Sequence, residues 1–122
     1  MRASIPDVNP DVPPAVARVD PGDGATQVLR DAPVVLRISQ PLDPGSVSPE
    51  TVSVEDDAGA VPGWLRLSPD SHVVIWGGER HLRPGILHFV VARGLRDRLG
   101  RLVHPHWSRF VPCDLAREDL RL

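Results

Sequence analysis

Histidine is the residue type with the widest chemical reach in this chain, and two of its five histidines, His104 and His106, stand one residue apart. Residues two apart on a strand share a face, and two neutral imidazoles are the beginning of a zinc or nickel site. The pair is short of partners. The one cysteine is Cys113, and Pro105 interrupts the strand that would align the two rings. His72 and His81 fall in turns, and His88 falls in an apolar run where a hydrogen-bonded core histidine is expected. Carboxylates gather at Asp20 and Asp23, at Asp56 and Asp57, and at Asp97. Such turns can hold calcium, but no EF-hand spacing is present, and side chains capping their own backbone account for aspartate there. Cys113 lies between Pro112 and Asp114, with neither base nor positive charge to make a thiolate. No Gly-x-Ser-x-Gly elbow and no phosphate-cradling glycine loop occurs. The expectation is therefore a non-enzyme without a cofactor.

Charge narrows the partners. Sixteen acidic residues against 14 basic ones leave a net charge of -2, with no electrostatic reason to bind nucleic acid or an anionic membrane. The most basic stretch, Arg93 to Arg101, holds four Arg and one Asp. It reads as a solvated loop, or as a grip for an acidic partner, without the lysines or aromatics of a nucleic-acid groove.

The elements that must position these residues are strands. A chain of 122 residues is one domain, and Pro 14 with Gly 10 argues against long helices. No run approaches the roughly 20 apolar residues of a membrane span. Short apolar runs at Ala15 to Val19, Val34 to Ile38, Thr51 to Glu55, Trp64 to Leu67, Val73 to Trp76, Ile86 to Ala92 and His106 to Val111 are separated by proline and glycine turns. Seven such runs predict an all-β, antiparallel sandwich. Residues 1–14, with four prolines, read as a linker or arm, 15–112 as the domain and 113–122 as a tail.

The order of turns carries a resemblance. Pro21, Gly22, Asp23, Gly24, Ala25, Thr26 and Val28 follow the first strand, and Val34 to Ser39 runs into Gln40-Pro41-Leu42-Asp43-Pro44. Val47 and Ser48 lead through Val54, and Leu67-Ser68-Pro69-Asp70 and Leu82-Arg83-Pro84-Gly85 precede later strands. Leu95-Arg96-Asp97 with Gly100 completes the series. From Pro14 to Pro112 the chain resembles bacterial immunoglobulin-like domains of the surface-layer-protein type. His88 stands where that family has tyrosine, Ile38 where it has phenylalanine, and Arg101 where it has asparagine.

The resemblance implies a seven-stranded immunoglobulin-like β-sandwich with no shared catalytic residues. It implies a spacer or adhesive module of an exported bacterial protein, on the cell surface, secreted or lipoprotein-borne. The N-terminus shows no apolar signal segment, so a cytoplasmic location is the alternative. With His88 inward in the tyrosine's place and Trp76 inward, strand alternation turns Val35, Val73, Ile75, Phe89 and Val91 outward. Five outward apolar residues on neighbouring strands form a patch of roughly a few hundred Å², enough to dock a neighbouring domain, a protein partner or a second copy. The alternative function is thus a self-standing adaptor, monomeric or weakly dimeric.

Overall fold

Alternating apolar residues have one way to leave water when helices are barred, which is to turn every second side chain toward a facing sheet. The computed structural model, which describes residues 8–120, has this arrangement in nine strands. They are β1 (Val16–Asp20), β2 (Ala25–Val28), β3 (Val34–Ile38), β4 (Val52–Asp56), β5 (Gly59–Ala60), β6 (Gly63–Leu67), β7 (Val73–Gly78), β8 (His88–Ala92) and β9 (His106–Pro112). One sheet has the order β1-β3-β7-β6 and the other β2-β9-β8-β4-β5. Between them lie Val34, Leu36 and Ile38 of β3, Val52 and Val54 of β4, Val74 and Trp76 of β7, Val90 of β8 and Phe110 of β9, all buried. Burying each such side chain contributes about 1.5–3 kcal/mol, so this layer is the driving force of the fold.

Two strands exceed the expected seven, and one pairing departs from the expected antiparallel pattern. Pro21 to Gly24 breaks what would be a single first strand, and the chain crosses from one sheet to the other there. It does not reverse direction, so β2 runs parallel to β9, with Ala25 opposite Phe110 and Val28 opposite Pro112. The Asp20–Pro21 peptide at the crossing is cis. The two-residue β5 closes a hairpin on β4, with Asp56 opposite Gly59. Ile86 and Leu87, expected to begin the sixth strand, lie in a bend before β8.

The described segments flanking the strands are attached to the sandwich. Residues 1–7 of the expected arm lie outside the described residues. From Asn9 onward the arm is held: the Asn9 amide donates to Gln40 Oε1 at 2.8 Å, and the Arg101 guanidinium donates to the carbonyls of Asn9 and Pro10 at 3.1 and 2.9 Å. Arg101 is itself fixed by Asp97, a carboxylate with no exposed surface. One Asp97 oxygen accepts the amides of Leu99 and Arg101 at 3.0 and 2.9 Å, and the other accepts Arg101 Nε at 2.8 Å. At the other end Ala116 is fully buried, and residues 117–120 form a single 3-10 turn.

Candidate functional site

Every strand of a sandwich has an outer side, and the outer sides carry what this chain offers to other molecules. On β8, His88, Val90 and Ala92 face the core, so Phe89 and Val91 face out. On β9 the same alternation buries Ser108 and Phe110 and turns Trp107 and Arg109 outward. The register sets Phe89 against Arg109 and Val91 against Trp107. Trp107 is 72% exposed, and its ring lies 5.7 Å from that of Phe89, tilted by 39°. It stands as a ridge between two open depressions. One, of about 300 Å³, is lined by Asp23, Phe89, Ser108 and Arg109, and the other, of about 350 Å³, by Glu55, Val91, Arg93, Pro105 and His106.

Val35, Val73 and Ile75 are not part of this face. They also point outward, but β3 and β7 belong to the four-stranded sheet, so these three lie on the opposite side of the sandwich from Phe89 and Val91. The single five-residue patch expected from alternation is therefore two patches. Alternation tells which way a side chain points relative to its own sheet and is silent on which sheet that is. Trp107 went unassigned, although the alternation that places Phe110 inward would have turned it out.

Most of the residues with potential chemistry are engaged by the fold, and His104 is held only through its backbone. His104 is exposed, and its amide donates to the Pro14 carbonyl at 3.0 Å. His106 is half-buried with Nε2 3.0 Å from Ser108 Oγ, and burial holds its pKa below the ordinary histidine value against the weaker opposing pull of Asp23. Ser108 is buried, and Asp23 accepts the Arg109 amide, so these residues form no exposed nucleophile. Among the described residues no three His, Cys, Asp or Glu side chains gather around one point. The Asp56 and Asp57 carboxylates face the Arg83 guanidinium. In the basic stretch, Arg96 donates to Gly100, Arg98 to Ser71 and Leu42, and Arg101 to Asp97, so three of its four arginines brace the loops. His88 is fully buried; Nδ1 donates to the Ile86 carbonyl at 2.8 Å, the ring stacks on Phe110 at 5.4 Å, and Nε2 has no partner.

The geometry is that of a sandwich with an apolar core and a few buried polar groups engaged with the fold. A model of the bacterial Ig-like domain family matches residues 10–85, more than half of the chain. The chain belongs to that family. The matched part of this Ig-like domain covers β1 to β7, and solved structures share the fold over more than four fifths of the chain. The N-terminal part of the bacterial S-layer protein SbsC superposes with a TM-score of 0.64 at 16% identity, covering 84% of this chain and 24% of that one. CopC from Methylosinus trichosporium OB3b gives 0.68 at 16% identity, over 82% of this chain and 93% of that one. An L,D-transpeptidase from Mycobacterium tuberculosis H37Rv gives 0.55 at 25% identity, over 81% and 40%. The Ig-like domain thus spans a quarter or less of the S-layer structures it matches, as little as 14% of the longest-covered ones. No curated protein matches the chain.

Proposed function

We propose that this Ig-like domain is a non-catalytic structural module of an exported bacterial protein, holding neighbouring parts at a set distance on the cell surface. The observation that supports this is that the fold corresponds to one segment of a surface layer protein and to 40% of a transpeptidase chain, while CopC matches it over 93% of its own length. The interior fits the reading. Asp97, His106, Ser108 and three arginines of the basic stretch are engaged with the fold itself. Light scattering on the purified chain is expected to give a monomer, and its melting temperature should be unchanged by zinc, calcium or a chelator. A stable dimer, or a shift of several degrees with either ion, overturns the reading.

A second reading is favoured by Trp107. A 72% exposed indole beside Phe89 and Val91 is the kind of aromatic anchor that interfaces use, and a self-standing adaptor would dock a partner there. On that reading a weak dimer or a bound partner appears, and it is lost in a Phe89→Asp variant that retains the parent melting temperature.

A further inference from the structure

The outer side of the four-stranded sheet carries a cluster of exposed arginines around apolar side chains. Strand register places its outward residues in rows. Arg18 of β1 lies opposite Arg37 of β3, and Arg37 opposite Val73 of β7. In the next row Asp20, Val35, Ile75 and Arg66 follow one another across β1, β3, β7 and β6. Beyond them Trp64 of β6 lies opposite Gly77 of β7. The indole lies against the β7 backbone, where a Cβ built on Gly77 would strike its ring. Arg66 sits over the same indole at 5.5 Å, and Trp64 remains 47% exposed.

Like charges directly opposite each other on neighbouring strands repel, because their Cβ atoms stand only about 5 Å apart. Arg18 and Arg37 are such a pair, both exposed, and Asp20 is the one acid among the outward residues of these strands. Arg83, Arg96, Arg98 and Arg101 make side-chain bonds within the domain, whereas Arg37 has the exposed Asp70 carboxylate as its acidic neighbour and no hydrogen bond to it. A protein of net charge -2 has acids enough to pair every arginine, yet here three stand together around an aliphatic strip. Exposed arginine and tryptophan around apolar side chains is the composition of a protein interface, and guanidinium pairs match carboxylates in two-pronged hydrogen bonds.

We propose that this face docks an acidic protein segment, its carboxylates on Arg18, Arg37 and Arg66 and its apolar side chains on Val35, Val73, Ile75 and Trp64. The aliphatic strip sets this apart from a simple polyanion site, which needs the arginines alone. The inference is independent of the spacer reading, since a spacer presents the same face to its neighbour in a longer chain.

The test uses a fluorescent peptide of alternating Glu and Val, with poly-glutamate and a Lys–Val peptide of equal length beside it. The full chain is expected to bind the Glu–Val peptide, more tightly at low salt, and to prefer it to both others. Arg18→Glu with Arg37→Glu should weaken binding by about fivefold or more, as two exposed attractions are replaced by repulsions. Trp64→Ser should also weaken it, while Phe89→Asp on the opposite face leaves it unchanged. Arg37→Glu alone exchanges repulsion from Arg18 for attraction while losing the attraction to Asp70, so the melting temperature should change little while binding falls. No binding of the Glu–Val peptide, equal binding of poly-glutamate, or an affinity unmoved by the double charge reversal overturns the proposal. None of these outcomes bears on whether the domain is a monomeric spacer.

Discussion

His106 is one side chain through which pH reaches this fold. Its imidazole is half-buried against Ser108, and burial disfavours the charged form, so the folded protein takes up a proton less readily than the unfolded chain does. The sign follows from linkage: where the unfolded state binds more protons, stability rises with pH. Above the ordinary histidine value of 6.5 both states are neutral and nothing is lost. As pH falls through that value the unfolded chain is protonated first, and stability falls with it. Urea denaturation between about pH 7.5 and 5.5 should show this decline, and His106→Gln, which keeps a partner for Ser108, should flatten it. An unchanged slope in the variant would place the proton elsewhere. Asp70 is displaced in the same direction through a different cause. Its carboxyl accepts the Ser68 hydroxyl at 2.6 Å and the His72 amide at 3.1 Å, which keeps it below the usual carboxylate range. Its contribution is lost only in stronger acid.

At the level of the strand, β6 and β7 show how closely two elements can approach. Gly63 and Gly77 both lie under tryptophan rings, but the two rings differ in freedom. A Cβ on Gly63 would come within 2.4 Å of Trp76, which is 3% exposed, and within 2.6 Å of the Gly77 carbonyl oxygen. Neither can withdraw. A Cβ on Gly77 would strike Trp64, which is half in water and can swing away. Gly63→Ala is therefore expected to cost about 1–3 kcal/mol, as overpacking does in a closed core. Gly77→Ala should cost clearly less, with the change confined to Trp64, whose indole leaves the sheet. Equal losses for the two variants in chemical denaturation would contradict this account. The same pair of strands was legible from sequence as alternating runs, whereas β2 was not. Ala25-Thr26-Gln27-Val28 has a glutamine at φ 60 and a register shift, and its pairing with β9 joins residues more than 80 positions apart.

For the molecule as a whole, the boundaries of the folding unit lie outside the strands. The tail that composition separated from the domain returns to it: the Cys113 amide donates to the Val28 carbonyl at 2.7 Å, and the Arg30 amide to Leu115 at 2.9 Å. The Arg117 amide donates to the Asp31 carboxylate at 2.9 Å, and Ala116 is fully buried between these contacts. Three hydrogen bonds at about 1 kcal/mol each make the segment worth about 2–3 kcal/mol. A chain ended after Pro112 should fold but lose that much in a denaturation titration, and a loss near zero would return the tail to the status of an appendage.

What the sequence determined by itself was local: strand alternation, turn chemistry and the order of turns that resembles the bacterial Ig-like family. Alternation repeats every two residues, so the inward set Val34, Leu36, Ile38, Trp76, Val90 and Phe110 was readable without any partner strand. What the tertiary structure decided was every question of which strand lies beside which. It separated Val35, Val73 and Ile75 from Phe89 and Val91, set Arg18 against Arg37, and brought Arg101 to Asn9 across the chain. Those placements depend on pairings between distant segments, chosen by the packing of two sheets around one core, and no local pattern encodes them.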